Sequence, residues 1–215
     1  MRLTIEETKE MLNFMADKII SQEPMLTEID SKIGDGDHGI GMKIGFTALK
    51  EQLPDVEPKS INDLFKWTGM TILDAMGGAS GVIFGTLFIS GYTAVEKVDY
   101  LDLGILAEML EKSLEAIKIR GKAKLGDKTM VDSLEPAVRA LSEMAGKKSS
   151  FRDGTAAAAK AAWQGVELTK KYEAKKGRAQ SYGNRSVGLP DPGAVSAAII
   201  MEGIAEFIEK REEVL

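Results

Sequence analysis

Several features that would define other protein classes are missing from this sequence. It has no cysteine, so disulfide bonds and thiolate metal sites are excluded, and its only histidine is His38. The sequence contains no run of about 18 apolar residues, the length needed to cross a membrane, and its N-terminal residues do not resemble a signal peptide. Basic residues are outnumbered, with 28 Lys and Arg against 33 Asp and Glu, for a formal charge of −5. We therefore expect a cytoplasmic protein that binds neither nucleic acid nor a membrane surface.

Apolar residues recur at helical spacing along almost the whole chain, and no stretch alternates with a period of two for long enough to require a strand. Thr4, Ser60 and Ser150 are each followed three residues later by an acidic residue, which is typical of a helix start. Residues 174–193 are expected to form a long irregular connection. With 44% hydrophobic residues, the sequence predicts an all-α single domain, residues 1–215, of about eight helices.

The densest cluster of chemically active residue types lies in residues 30–41, after Pro24, which is expected to end the first helix. Three carboxylates (Asp30, Asp35 and Asp37) are interleaved there with four glycines and the histidine. Two unit charges about 4 Å apart repel by roughly 4 kcal/mol at an effective dielectric near 20. A hard divalent cation held by carboxylate oxygens would relieve this repulsion, and a short glycine-rich loop suits such a site.

Four interpretations of this acidic loop compete. An EF-hand fails, because its fifth and sixth positions would be Gly39 and Ile40 and its twelfth would not be Glu. Residues 34–39 match a dinucleotide fingerprint, but no strand precedes them and two aspartates would repel a pyrophosphate. A solvated turn with Asp37 as N-cap of the next helix is the structural alternative. The fourth interpretation is a magnesium site that holds nucleotide phosphates, and the residues alone leave these last two open.

The predicted order of the helices also indicates where the polar connections meet. In an up-and-down bundle, alternate connections gather at one end. The connections that contain residues 30–39, 77–81, 120–129 and 174–193 are therefore predicted to converge. Residues 77–81 allow two interpretations of equal weight: a tight turn with Ser80 as N-cap of a helix spanning 82–95, or a phosphate-binding helix start. They lack the Gly-Lys-Ser/Thr of a P-loop.

The acidic loop is similar to the metal-binding signature of the nucleotide-binding (L) subunit of dihydroxyacetone kinases. Four further stretches resemble the same family, in the family's order, at compatible spacings and across nearly the whole chain. They are Gly-Gly-Ala-Ser-Gly at residues 77–81, Arg-Gly-Lys-Ala at 120–123 with Gly-Asp-Lys-Thr-Met-Val-Asp at 126–132, Gly-Arg-Ala at 177–179, and Asp-Pro-Gly-Ala at 191–194. The resemblance implies an antiparallel up-and-down helical barrel with the nucleotide at one end.

The resemblance also implies a role for individual residues. Asp30, Asp35 and Asp37 would bind two Mg²⁺ ions that bridge to the phosphates of ADP or ATP, and Arg178 would reach the phosphates. These four residues are the expected catalytic set, and His38 is expected to donate a hydrogen bond to phosphate rather than to bind Mg²⁺, which prefers oxygen. The other residues expected beside the nucleotide are Gly39, Gly41, Ala79, Ser80, Gly121, Met130, Asp191, Pro192 and Gly193.

In the family, dihydroxyacetone is held by a separate K subunit or domain, and this chain contains no candidate for one. The resemblance therefore implies a kinase subunit that works with a K subunit, with tightly bound ADP re-phosphorylated by a phosphotransferase-system protein, the M subunit. Residues 82–85 and 180–184 depart from common forms of the family. Two alternatives stay open: an ATP-dependent kinase subunit for another short ketose such as erythrulose, and a non-catalytic protein that senses nucleotide.

Overall fold

The computed structural model describes residues 1–214 of the chain, and in this part nine α-helices are found. Three 3-10 helices lie between them, at Leu53–Asp55, Ser90–Thr93 and Arg178–Ser186. The α-helices are α1 (Ile5–Ser21), α2 (Glu23–Ile33), α3 (His38–Gln52), α4 (Ile61–Met76), α5 (Gly78–Ile89), α6 (Leu103–Gly121), α7 (Val131–Gly146), α8 (Phe151–Thr169) and α9 (Pro192–Val214).

The helices form a closed ring in chain order. From α3 to α9 each helix packs against the next, α9 packs against α1, and α1 packs against α3. The short helix α2 lies on α3 and α9. One hydrophobic core fills the ring, and every α-helix contributes to it. The predicted all-α up-and-down bundle is confirmed. Of the helices within the described residues, none combines the length and the apolar character that crossing a bilayer needs.

A small antiparallel pairing was not predicted. The two-residue strand β1 (Leu3–Thr4) pairs with β2 (Tyr100–Leu101), with Leu3 opposite Leu101. Both leucines are buried, so the pair is short and closes the core beside the start of α1. Two residues are too few to produce a recognisable alternating pattern in the sequence.

The prediction that Pro24 ends the first helix and leaves a loop was incomplete. Only Gln22 separates α1 from α2, and Pro24 lies in the first turn of α2. Proline is tolerated there, because the N–H groups of a first helical turn have no partner within the helix. Asp30 consequently lies on a helix and not in a loop.

The predicted start of the helix expected over residues 82–95 was also wrong. The helix α5 begins at Gly78, so Ser80 lies inside its first turn and is not the N-cap. The N-cap is Gly77, which like Gly78 has φ +60°. Residues other than glycine adopt such angles at a cost, and this is why the turn contains two glycines. The helix then ends at Ile89, earlier than predicted, and continues as the 3-10 turn.

Four helices begin at the end of the ring that carries the β pair, and each start is closed by a side chain. The cap oxygen accepts a hydrogen bond from the third helical N–H at 2.9–3.2 Å in every case. Such caps satisfy backbone donors that the helix itself leaves free. The predicted caps at three of these starts are confirmed. The cap residues are Thr4 for α1, Ser60 for α4, Asp102 for α6 and Ser150 for α8.

Candidate functional site

The four connections at the other end of the ring line one cavity of about 260 Å³. They are the α2–α3, α4–α5, α6–α7 and α8–α9 connections, the same four stretches whose convergence the sequence predicted. Because α1 and α2 follow one another almost without a break, the extra helix does not change which connections share an end. The lining residues come from 30–38, 79–84, 128–130, 176–179 and 191–193.

The three predicted carboxylates lie together on one wall of this cavity. Asp30, Asp35 and Asp37 each place a carboxylate oxygen within 4.8 Å of the others. Asp30 is buried on α2, and its Oδ2 accepts the backbone N–H of His38 at 3.2 Å. Partial desolvation and the neighbouring Asp35 carboxylate raise the pKa of Asp37, while the Arg178 guanidinium opposes this. The cluster is therefore electrostatically unfavourable without a cation.

Arg178 supplies positive charge from the opposite wall. Its Nη1 pairs with Asp35 Oδ2, and its Nη2 lies 3.8 Å from Asp37 Oδ2. Arg178 begins the 3-10 helix of the α8–α9 connection, a stretch that the sequence predicted to be irregular. In the same turn the Tyr182 hydroxyl donates to the Gly34 carbonyl at 3.0 Å. The 3-10 turn is thus fastened to the acidic loop at two points.

His38 is buried at the first position of α3. Its Nε2 lies 2.8 Å from the Ser196 hydroxyl of α9, and the backbone of Pro192 is a second partner of the ring. Burial lowers the pKa of His38, which favours the neutral imidazole at pH 7. Both of these partners belong to the protein, and the expected hydrogen bond from His38 to phosphate stays a prediction. Ser196 carried no signal in the sequence.

Of the two predicted glycines in α3, Gly39 is required by helix packing, whereas Gly41 has room for a side-chain carbon. A Cβ on Gly39 would lie 2.3 Å from Thr27 Oγ1, so its absence lets α3 approach α2. A Cβ on Gly41 would lie 3.8 Å from the Met76 methyl group. Within the described part of the chain neither glycine lines the cavity, although both lie in the helix that begins beside it.

A second cavity of about 480 Å³ adjoins the first and is mainly apolar. Gly121 and Met130, two of the residues expected beside the nucleotide, line it, and Ala79 and Met130 line both cavities. Aliphatic side chains from α5, α6 and α7 complete the walls. These aliphatic residues are Val82, Ile83, Ile117 and Val131. The two cavities together offer a charged compartment next to an apolar one.

Buried charges surround the start of α9. Asp191 Oδ2 accepts the Ala194 N–H at 2.7 Å and so caps α9. Burial raises the pKa of Asp191 to about 7 and also raises the pKa of Asp132. Lys128 is buried between them, and burial lowers the pKa of its ammonium group while both carboxylates oppose that effect. Asp191 was a predicted site residue, whereas no individual role was predicted for Lys128 or Asp132.

Three helices begin at this end without a side-chain cap. The N-cap residues Asp37 (α3), Gly77 (α5) and Met130 (α7) make no side-chain hydrogen bond to their helices. The first N–H of α7 donates instead to Thr129 Oγ1 and that of α3 to Asp30 Oδ2, each at 3.2 Å. The other first-turn N–H groups of α3 and those of α5, together with the helix dipoles, favour a negatively charged ligand. An anion and the acidic cluster can share the site only if a cation lies between them.

The comparisons with known proteins agree with this geometry. The model of the DAK2 domain family matches residues 32–206. The chain belongs to the DAK2 domain family. Within this family it is 38% identical to the ADP-binding subunit DhaL of PEP-dependent dihydroxyacetone kinase 1 from Listeria innocua, over 91% of this chain and 92% of the relative. It is 37% identical to the ADP-binding subunit DhaL of the PEP-dependent dihydroxyacetone kinase from Escherichia coli, over 95% and 98% of the two chains.

A solved structure is similar to this DAK2 domain. The dihydroxyacetone kinase from C. freundii, in complex with AMP-PNP and Mg²⁺, superposes with a TM-score of 0.72 at 25% sequence identity. The likeness covers 92% of this chain but only 33% of that one. This chain therefore spans about a third of the length of the solved kinase. The resemblance to dihydroxyacetone kinase L subunits is confirmed.

The DAK2 residues fit a magnesium ion on chemical grounds. Three carboxylates offer oxygen ligands, the type that Mg²⁺ prefers, and they lie close enough to converge on one ion. A cationic group, the Arg178 guanidinium, already contacts two of them.

Proposed function

We propose that this protein is the ADP-binding subunit of a dihydroxyacetone kinase and that it uses Mg²⁺. The carrying observation is the meeting of three carboxylates, one arginine and the starts of α3 and α5 at one cavity. The near-full-length similarity to ADP-binding subunits supports the same conclusion. The proposal treats residues 1–215 as one nucleotide-binding domain, and the single core shared by all nine helices of the described residues supports that view.

The chain's own residues divide the work of holding a nucleotide. Asp30, Asp35 and Asp37 would hold two Mg²⁺ ions, which when bound offset the negative charge of phosphate oxygens. Arg178 is permanently charged and can donate two parallel hydrogen bonds to a phosphate. The N–H groups in the first turns of α3 and α5 would serve as further hydrogen-bond donors to phosphate.

The base and the far side of the nucleotide have their own supports. The apolar cavity beside Gly121 and Met130 suits a flat aromatic base, because it is lined largely by aliphatic carbon. Ala79 and Ser80 lie where the two cavities meet, in the first turn of α5. Asp191, Pro192 and Gly193 line the charged cavity at the start of α9. Phosphoryl transfer requires mainly this kind of positioning and charge neutralisation.

The ketose is proposed to come from a partner, the K subunit. Large apolar side chains are exposed around the site end, which is where a partner must dock to bring its substrate to a phosphate. Exposed apolar surface of this kind often marks protein–protein contact. The residues are Ile40 (49% exposed), Ile44 (50%), Ile119 (78%), Leu125 (44%) and Val187 (46%).

The phosphoryl donor is proposed to be the M subunit of a phosphotransferase system, which would re-phosphorylate ADP that stays bound. The PEP dependence in the names of the two relatives supports this choice over free ATP. A cytoplasmic location remains a prediction, and it is the compartment in which ADP and phosphoenolpyruvate are available.

A thermal-melt titration tests nucleotide binding first. Nucleotide is stripped from the purified protein, and ADP and Mg²⁺ are added separately and together. At 100 times the dissociation constant, the pair should stabilise the fold by about 2.7 kcal/mol. We expect the shift to need both components, to vanish with a chelator, and to vanish in Asp35→Asn. Asp55→Asn, which removes one carboxylate at the opposite end, should keep it. A stripped wild-type protein that ignores Mg²⁺ with ADP or ATP would refute the proposal.

A reconstituted assay then tests catalysis. The protein is combined with a purified K subunit and dihydroxyacetone, once with ATP and once with phosphoenolpyruvate and the phosphotransferase proteins. We expect dihydroxyacetone phosphate only in the second mixture. Product with ATP alone would assign a different donor, product only with erythrulose would assign a different ketose, and no product in either mixture despite ADP binding would indicate a nucleotide sensor.

A further inference from the structure

Lys128 is a buried cation whose ammonium group faces two backbone carbonyls. The residue is 1% exposed. Its Nζ donates to the Thr169 carbonyl at 2.6 Å and to the Leu189 carbonyl at 2.5 Å. Burying an unpaired ammonium group is costly, so a lysine in this position must contribute something that an apolar residue could not.

The two carbonyls lie at opposite ends of the α8–α9 connection. Thr169 is the last residue of α8, and Leu189 lies just before the start of α9. The segment between them, residues 170–188, carries Arg178 at the start of its 3-10 turn. One ammonium group therefore holds both ends of the segment that brings Arg178 to the acidic cluster.

Neighbouring bonds strengthen this anchor from the same stretch of chain. The Asp127 carbonyl accepts the Lys175 N–H at 3.0 Å, and the Thr169 hydroxyl accepts the Asp191 N–H at 3.0 Å. The carboxylates of Asp132 and Asp191 lie close enough to favour the charged form of Lys128, which offsets part of its desolvation. A three-donor ammonium group can join two carbonyls from one atom, which no neutral aliphatic side chain can do.

We propose that Lys128 is a positioning residue for the nucleotide site, which holds the ends of the 170–188 segment so that Arg178 faces Asp35 and Asp37. The inference rests on the proposed function for its ligand, Mg²⁺ with ADP. Lys128 also lines the cavity, so direct contact with phosphate is the competing explanation, and a purely structural role is the other.

A double-mutant cycle separates these explanations. The dissociation constant of ADP is measured in saturating Mg²⁺ by calorimetry for wild type, Lys128→Met, Arg178→Gln and the double variant. If Lys128 acts by positioning Arg178, Lys128→Met should weaken binding about tenfold in the wild type and less than about twofold when Arg178 is already gone. An equal loss in both backgrounds would overturn the proposal, since direct contact or general destabilisation would act whether or not Arg178 is present.

Limited trypsin digestion of the metal-free protein gives a readout that does not depend on the nucleotide. The 170–188 segment contains six Lys or Arg residues. We expect Lys128→Met to be cut within this segment several times faster than wild type, before the rest of the fold is lost. Lys124→Met, which changes an exposed lysine of the same α6–α7 connection, should be cut at the wild-type rate. Equal cutting of Lys128→Met and wild type would refute the anchor.

Lys128→Arg is the second variant, and it keeps the experiment decisive if Lys128→Met does not fold. It retains charge and donors, so we expect ADP affinity and trypsin resistance between those of wild type and the methionine variant, and the same loss of effect without Arg178. An arginine variant that behaves like wild type in both assays and in the Arg178→Gln background would contradict the need for one atom between two carbonyls. Failure of wild-type protein to bind ADP would refute the proposed function and leave the digestion test of the anchor intact.

Discussion

The two ends of the helical ring differ in how they treat the starts of their helices. At one end all four starts, those of α1, α4, α6 and α8, are closed by a side-chain oxygen. At the other end α3, α5 and α7 start without a side-chain cap, and only α9 is closed, by the buried Asp191. The N-cap side chains therefore satisfy backbone donors at one end. At the other end the Val131 N–H of α7 donates to Thr129 Oγ1 and the His38 N–H of α3 to Asp30 Oδ2, while the other first-turn N–H groups of α3 and all those of α5 lack a side-chain partner within the described residues.

This difference shows where the molecule has given up stability for binding. The uncapped end also holds three close carboxylates, two adjacent glycines with positive φ and a buried lysine. The close carboxylates and the buried ammonium group cost free energy in the isolated protein, and a bound cation would offset the repulsion between the carboxylates. We therefore expect changes at the capped end to alter stability alone, and changes at the site end to alter ligand binding or the pH dependence of stability.

The largest expected effect is a pH dependence that comes from Asp191. Its folded-state pKa of about 7 lies above the ordinary value of 3.8, so the fold prefers the protonated form. Stability from this group is fully present below about pH 4 and is lost as pH rises to 7, by up to about 4 kcal/mol. Asp191→Asn keeps a cap oxygen but cannot ionise. Urea denaturation from pH 4.5 to 7.5 in a chelator should show a clearly smaller loss for this variant, and parallel curves would contradict the buried carboxyl.

At the capped end, Ser60→Ala and Ser150→Ala should each reduce the free energy of unfolding by about 1 kcal/mol, because each leaves a helical N–H without its partner. The two sites belong to different helices and share no contact, so the losses should add. Urea denaturation measures the loss, and calorimetry with ADP and Mg²⁺ should give the wild-type dissociation constant for both variants. A large change in ADP affinity from either serine would break the division between the two ends.

The smallest expected effect is at Tyr182, whose hydroxyl fastens the 3-10 turn to the Gly34 carbonyl. Tyr182→Phe removes one hydrogen bond, a local loss of about 1 kcal/mol, and should weaken ADP binding a few-fold at most. Hydrogen exchange should become faster in the 3-10 turn and the acidic loop and stay unchanged at the capped end. Faster exchange at the β pair would mean that the two ends are energetically coupled.

The capped end and the gathering of the site could be predicted from the sequence, because both depend on local signals. Ser60 and Ser150 are each followed three residues later by an acidic residue, and this pattern predicts a helix start without any tertiary context. The acidic cluster is contiguous in the chain, so its electrostatic repulsion was evident before the fold was known. Alternation of connections in an up-and-down bundle then brought the four stretches to one end.

The rest depends on contacts that leave no mark in the sequence. Pro24 fits the first turn of a new helix as well as the end of an old one, so Asp30 was expected in a loop. The partners of Lys128 are backbone carbonyls, which every residue has. Ser196 meets His38 only because α9 packs beside α2, next to the start of α3, and nothing near either residue predicts that pairing.

The closure of the ring has a consequence for how this protein is made. The acidic residues follow α1 and the Asp191–Gly193 stretch opens α9, so the two halves of the site lie on either side of the seam where the first and last helices meet. The Lys18 ammonium group of α1 pairs with Glu202 of α9 across that seam, and the His38 ring of α3 is hydrogen-bonded to the Ser196 hydroxyl of α9. Because the cavity is lined from both α2 and α9, a growing chain completes it only after α9 has been synthesised. Ligand that then binds would stabilise the closed ring of helices, and chains whose ring does not close would remain exposed to proteases.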